Sequence, residues 1–120
     1  MKRLALIGAG AFAKQIMSYI ESNDEYVVVG FFDDNTGLGV SFEGKSIFGV
    51  LDDIERKYQE GLFDCVFISI GYVWFDVRER IYNKLKGVVP FANIISKLAT
   101  IKKGANLGEG ILITDGVYIS

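Results

Sequence analysis

A six-residue repeat near the end of the chain constrains the fold more than any other feature. Aliphatic or small residues recur at this spacing in two rows, namely Ile95, Ile101, Leu107, Ile113 and Ile119, and Ala99, Ala105, Ile111 and Val117. A period of six matches neither the 3.6-residue period of a helix nor the two-residue period of a strand. It is typical of a solenoid whose triangular coils have sides of six residues.

Composition and charge argue against several classes of function. The chain has 120 residues, 13 Lys and Arg against 15 Asp and Glu, and no basic run, so we expect no binding to nucleic acid. It has one cysteine and no histidine, which argues against a disulfide framework, a metal site and His-based catalysis. No signal peptide or apolar stretch of ~20 residues is present, so we expect a cytoplasmic protein without a membrane segment.

The sequence before the repeat predicts a small doubly wound α/β domain. Uniformly apolar runs predict buried strands, and apolar residues at helical spacing predict helices. Because the strands are not alternating, we expect a parallel sheet with helices on both faces. The predicted strands are 4–7, 26–32 and 64–70, with short extended pieces at 46–50 and 88–95, and the predicted helices are 13–21, 51–60 and 76–86. The expected domains are 1–92 and an incomplete solenoid over 93–120.

A glycine-rich turn follows the first predicted strand. Gly8-Ala9-Gly10-Ala11-Phe12-Ala13 matches the GxGxxG/A pattern between a strand and a helix. Such a turn brings backbone amides and a helix N-terminus close to a phosphate group. A tight turn without a ligand is the alternative.

Further polar residues and glycines follow the second and third strands. Asp33 and Asp34 stand where an acid binds a ribose hydroxyl in nucleotide-binding folds, although one of them can instead cap a turn. Gly71 follows the third strand and allows close approach of a ligand. Tyr72 or Trp74 could cover a base, and the alternative is that they pack on a neighbouring helix. Arg78 could contact a phosphate, and the alternative is that it is a solvated residue on the helix surface.

Four features resemble one family in their order and spacing. They are the glycine turn, Phe31-Phe32-Asp33-Asp34, Ile68-Ser69-Ile70-Gly71 with Arg78, and the six-residue repeat. The chain is similar to the N-terminal part of the bacterial sugar O- and N-acyltransferases of the sialic acid O-acetyltransferase type, which serve surface-glycan biosynthesis. The resemblance implies a Rossmann-like domain followed by a left-handed parallel β-helix.

The resemblance also implies a ligand and its contacts. The partner would be a nucleotide-activated sugar, with a UDP-sugar as our first expectation, bound by Gly8, Gly10, Ala11, Phe12, Asp33, Asp34 and Gly71. Acetyl-CoA would bind to later coils, beyond Ser120, and relatives of this kind form trimers, so a homo-oligomer is possible. We expect no cofactor, metal or catalytic residue in the chain itself.

The sequence departs from the family in three places. Gly-Ala-Phe stands where the family has a Ser-Gly-His type of turn, Ile95-Ser96-Lys97 replaces an Ile-His-Pro segment, and the catalytic histidine is missing. We therefore expect a chain that is inactive alone, either truncated or covered by a partner at its open coil. The alternatives are an NAD(P)- or nucleotide-binding Rossmann sensor without transferase activity, and a purely structural module that dimerises through its solenoid edge.

Overall fold

A computed structural model describes residues 1–21, 24–71, 75–95, 100–101, 112–113 and 118–119. Its α/β part contains five strands in the spatial order β3-β4-β2-β1-β5. The strands are β1 (Lys2–Ile7), β2 (Tyr26–Phe32), β3 (Ser41–Phe42), β4 (Lys45–Gly49) and β5 (Cys65–Ile68), and the helices are α1 (Ala11–Glu21), α2 (Ile54–Gln59) and α3 (Phe75–Leu85). Short 3-10 turns span Thr36–Leu38 and Leu51–Asp53.

Helices cover both faces of the sheet, as the sequence predicted. Leu4 and Leu6 of β1 pack on one face with Ile16 of α1, and we call this cluster the α1 core. Ala5 and Ile7 point to the other face, where they pack with residues of α2 and α3, among them Ile54, Ile81 and Leu85; we call this cluster the α2/α3 core. The crossovers β1–α1–β2 and β4–α2–β5 run in opposite directions across the sheet, so right-handed connections place α1 and α2 on opposite faces. From Leu4 to Ile7, both faces of β1 are therefore buried.

The expectation of a parallel sheet is confirmed for three of the four strand pairings, but the sheet as a whole is mixed. Ser41–Phe42, for which no strand was predicted, form β3, which pairs antiparallel with β4. Glu43 and Gly44 form the two-residue connection, and both have positive φ, at 49° and 78°. Two such residues give the hairpin turn whose twist matches that of the flanking strands. A short edge hairpin is thus added beside three parallel pairings.

The segment between α3 and the repeat lies along the free edge of β5. A predicted strand at 88–95 is reduced to one parallel bridge between Val66 and Phe91, followed by β6 (Ile94–Ile95). Val66 N–H donates to Pro90 O at 2.9 Å, and Ala92 N–H donates to Val66 O at 2.8 Å. Ile94 is fully buried in the α1 core. The chain therefore stays attached to the α/β part up to this residue.

Four short strands are described in the repeat region. β6 pairs in parallel with β8 (Leu112–Ile113), and β7 (Thr100–Ile101) pairs in parallel with β9 (Tyr118–Ile119). Paired residues lie 18 positions apart in the chain, as Ile94 with Leu112 and Thr100 with Tyr118. Eighteen residues are three sides of six. The other repeat positions lie outside the described residues.

Membrane-spanning helices and metal sites can be judged only for the residues that the structure describes. Among the helices that the structure describes, none is long and apolar enough to cross a bilayer. Over the same ranges, no group of three or more His, Cys, Asp or Glu residues is placed to hold a metal ion.

Candidate functional site

The glycine turn joins the carboxyl end of β1 to α1, at the centre of the sheet. Gly8 has φ +107°, and a Cβ added there would lie 2.8 Å from Ile70 Cγ1 and 3.2 Å from Ser69 O. Glycine is therefore required at position 8 by its backbone conformation and by its close neighbour. A Cβ on Gly10 or on Gly71 would meet no atom within 4 Å. Among the residues that the structure describes, the outer side of the turn is therefore open.

The N-terminus of α1 follows directly from this turn. Gly10 O accepts the first intrahelical hydrogen bond, from Lys14 N–H at 3.2 Å, but glycine has no side chain to cap the helix. Within the described ranges, the N–H groups of Gly10 and Ala11 have no acceptor. The first turn of α1 carries no acidic residue. Such a terminus attracts an anion through its free N–H groups and the helix dipole.

Asp33 reaches the turn from the end of β2. Its Oδ2 accepts a hydrogen bond from Ala9 N–H at 2.8 Å, and its Oδ1 accepts one from Asn35 N–H at 2.8 Å. The side chain is half-buried. A carboxylate has about four lone-pair sites, so two further hydrogen bonds remain possible.

Asp34 faces away from the turn, toward the end of β4. Its Oδ1 accepts a hydrogen bond from Leu51 N–H at 2.9 Å, at the start of the second 3-10 turn. The residue is exposed. The two acids therefore divide between two loops, and each satisfies at least one backbone N–H group.

The remaining predicted residues contribute differently. Phe12 packs its partly buried ring against the α1 core, so its backbone is the part that faces the turn. Gly71 follows β5, which is hydrogen-bonded to β1, and so lies at the same edge as Gly8. Arg78 is half-buried on α3. Tyr72 and Trp74 lie outside the described residues. Sequence reasoning thus proposed residues from three loops that do meet at one edge of the sheet.

Ser69 was not among the predicted site residues, although it contacts the glycine turn. It is 3% exposed, and its Oγ lies 2.6 Å from Gly8 O, to which it donates its single hydroxyl proton, and 3.1 Å from Ile7 O. Its own N–H donates to Ile7 O at 2.8 Å. A serine directly before Ile70-Gly71, at the end of a buried strand, was the available signal.

Ser69 and Cys65 are both buried, and neither is arranged for covalent chemistry. The hydroxyl proton of Ser69 is directed at backbone carbonyls, which are not general bases. Burial raises the pKa of the Cys65 thiol to about 11, so little thiolate forms near neutrality. What the described site can do is bind, through backbone amides and carboxylates.

A groove lies beside the site, between α3 and the segment after β4. It has a volume of about 200 Å³. Its floor includes Leu51, Ile54 and Ile81, and Asp34 and Arg80 stand among the charged residues that line it. The groove therefore begins next to the second of the two acids.

Comparisons with known proteins agree on the class of the domain. The model of the PglD N-terminal domain family matches residues 3–85. No curated protein sequence matches the chain significantly.

Several solved structures share the fold. A mutant of perosamine N-acetyltransferase from Caulobacter crescentus, in complex with CoA and GDP-perosamine, superposes with a TM-score of 0.84 at 21% identity, over 100% of this chain and 55% of that one. The acetyltransferase domain of PglB from Neisseria gonorrhoeae, in complex with acetyl coenzyme A, gives 0.78 at 23% identity, over 98% and 55% of the two chains. UDP-D-quinovosamine 4-dehydrogenase from Vibrio fischeri gives 0.56 at 22% identity, over 74% of each chain.

These likenesses establish the fold, and the chain spans about half the length of the two acetyltransferase structures. The family match covers most of the α/β part, including the glycine turn and the residues after β2 and β5. The chain belongs to the PglD N-terminal domain family.

Proposed function

We propose that the α/β part of this chain binds a nucleotide-linked sugar, as the N-terminal portion of an acetyl-CoA-dependent sugar acetyltransferase. The observation that carries the proposal is the glycine turn, which among the described residues is open and presents two N–H groups without an acceptor at the start of α1. It occurs in a family member whose whole length follows the fold of a sugar N-acetyltransferase.

The phosphates of the ligand are assigned to the turn. Gly10 and Ala11 would donate their N–H groups to phosphate oxygens, and the absence of a side chain on Gly10 leaves room for close approach. Gly71 would border the same space from the end of β5. Phe12 would contribute its backbone, since its ring belongs to the α1 core.

The nucleoside is assigned to the loop after β2. Asp33 and Asp34 keep acceptor capacity beyond their backbone hydrogen bonds, and the apolar groove beside Asp34 has space for a planar ring. A UDP-sugar remains our first expectation. Because a structure with the same fold is a complex with GDP-perosamine, GDP should be tested alongside UDP.

The repeat region supports the transferase part of the proposal. Parallel pairing at an 18-residue offset is what one complete coil of three six-residue sides requires. We propose that this segment begins a left-handed β-helix, that acetyl-CoA binds to its continuation, and that the protein assembles as a homo-oligomer, a trimer by resemblance. The chain has no histidine, so the proposal assigns no acetyl-transfer step to its residues. The sialic acid O-acetyltransferase type is the specific kinship that we propose within this class.

A second candidate is an NAD(P)- or nucleotide-binding sensor. It is favoured by Asp33 and Asp34 at the end of β2, where dinucleotide-binding domains place an acid. Against it stands the pairing at an 18-residue offset in the repeat region, since a dinucleotide sensor does not need such a repeat.

A thermal-shift panel separates the two functions. UDP, GDP, NADH and AMP are added to the purified chain, with AMP as the control for unspecific phosphate binding. A ligand at 100 times its Kd stabilises the folded state by about 2.7 kcal/mol. For a domain of this size that is a rise in Tm on the order of 10 °C. A rise with UDP or GDP alone supports the proposal, whereas a rise with NADH alone refutes it.

A further inference from the structure

A single peptide unit of the glycine turn is held at both of its polar ends by side chains. The carbonyl oxygen of Gly8 accepts a hydrogen bond from Ser69 Oγ at 2.6 Å. The N–H group of the next residue, Ala9, donates to Asp33 Oδ2 at 2.8 Å. We call this pair of contacts the turn clamp. Since β1 lies between β2 and β5, the side chains of Asp33 and Ser69 reach the turn from opposite sides.

The clamping groups are themselves fixed. The second oxygen of Asp33 accepts from Asn35 N–H at 2.8 Å, which sets the plane of the carboxylate. Ser69 is 3% exposed and is bonded to Ile7 O through its own N–H group. Neither side chain can turn away without leaving a partner unsatisfied.

The clamp matters because glycine alone would not hold the turn. Gly8 has φ +107°, and glycine residues populate many backbone conformations at similar energy. Fixing the Gly8–Ala9 peptide sets the direction in which the chain enters Gly10 and Ala11. The N–H groups of those two residues are the ones assigned to phosphate above. Their alignment before binding avoids part of the entropic cost of binding.

We propose that Ser69 and Asp33 are positioning residues, which preorganise the phosphate-binding turn by clamping the Gly8–Ala9 peptide. The inference rests on the proposed nucleotide-sugar function and changes the part played by Asp33. This carboxylate acts through the turn, and it does so with a serine that neither the repeat nor the glycine motif indicated.

The clamp is tested by measuring nucleotide affinity and thermal stability on the same variants. Ser69→Ala removes one contact and Asp33→Asn, which is nearly isosteric, weakens the other. Binding of UDP and GDP is measured by calorimetry, together with Tm for every variant. Each substitution is expected to weaken binding about 10-fold, the size of one hydrogen bond to a rigid partner. The double variant is expected to lose little more than either single one, because one released end already frees the peptide.

Ile20→Ala is the control for stability alone. Ile20 is buried in the same core and lies near the far end of α1. It should lower Tm while binding nucleotide as the unaltered chain does. If Ser69→Ala and Asp33→Asn bind UDP and GDP as tightly as Ile20→Ala, the clamp has no positioning role.

Amide hydrogen exchange gives a reading that needs no ligand. The Ala9 amide is expected to be protected in the unaltered chain and to exchange at least about 10-fold faster in Asp33→Asn. Unchanged exchange at Ala9 overturns the clamp. Failure of the unaltered chain to bind UDP or GDP refutes the proposed function, while the exchange experiment still decides whether the turn is clamped.

Discussion

The two glycines of the turn are predicted to respond in opposite ways to one added methyl group. Gly8 has φ +107°, and a new Cβ would lie 2.8 Å from Ile70 Cγ1 and 3.2 Å from Ser69 O. Gly10 has open space around the corresponding position, with no atom within 4 Å. Gly8→Ala should therefore act on folding, and Gly10→Ala should act on binding.

The expected change in the free energy of unfolding of Gly8→Ala follows from two destabilising effects and one stabilising effect. A non-glycine residue at positive φ costs about 1–3 kcal/mol. Overpacking against Ile70 and the Ser69 carbonyl costs about 1–3 kcal/mol more. The reduced entropy of the unfolded chain returns about 0.4–1 kcal/mol. Gly8→Ala should therefore lower the free energy of unfolding by about 3 kcal/mol, a large part of the ~5–15 kcal/mol available to a domain.

Urea unfolding followed by circular dichroism measures this loss. With a slope of about 1–2 kcal/mol/M, the midpoint should fall by about 1.5–3 M. Gly10→Ala should change the free energy of unfolding by less than ~1 kcal/mol. Its methyl group projects into the space proposed for phosphate, so UDP and GDP should bind more weakly.

A second background separates the two costs at Gly8. In an Ile70→Ala chain, the nearest atom to the new Cβ is absent, so Gly8→Ala should cost less there by part of the overpacking component. The reasoning is refuted if Gly8→Ala costs under ~1 kcal/mol, or if Gly10→Ala destabilises the chain equally.

Three further predictions concern residues outside the turn. Ile94→Ala should lower the free energy of unfolding by about 2–5 kcal/mol in urea titration, because Ile94 is fully buried in the α1 core; a loss under ~1 kcal/mol would show that this core ends before it. Cys65 should react with a thiol reagent at pH 8 about 100-fold more slowly than a free cysteine, since its pKa is raised to about 11, and at the ordinary rate in denaturant; equal rates would contradict its burial. Arg3 lowers the pKa of Asp64, chiefly by hydrogen bonding, so Asp64→Asn should lower the urea midpoint at pH 7. Because a depressed carboxyl pKa stabilises the fold only above it, that difference should shrink as the pH falls below 4 toward the lowered pKa, and a difference that persists in acid would refute the assignment.

Local patterns predicted most of the elements. The apolar runs at 4–7 and 26–32 became β1 and β2, and the helical spacing of Val77, Ile81 and Leu85 became α3. The hairpin β3–β4 was missed because Glu43 adopts positive φ, a conformation that its residue type does not indicate. The predicted strand at 88–95 became a single bridge to β5 and the two-residue strand β6, since its pairing depends on neighbouring strands and not on its own apolar content.

The candidate site was predicted as a set of loops but not as a set of contacts. The glycine turn, the two acids and Gly71 were identified, because each follows a strand and parallel strands end at one edge. Their roles as contacts to a sugar nucleotide stay predictions.

The sequence itself determined the order of the main strands and helices along the chain, the glycine turn and the six-residue repeat. Each of these depends on residues that are close to each other in the chain. The partners of Asp33, Asp34 and Ser69 were decided only by the tertiary structure. Ser69 and Gly8 are 61 positions apart, and Asp33 and Ala9 are 24 apart. No local pattern encodes such a pair, since it exists only once β2, β1 and β5 lie side by side and bring three chain segments to one peptide group.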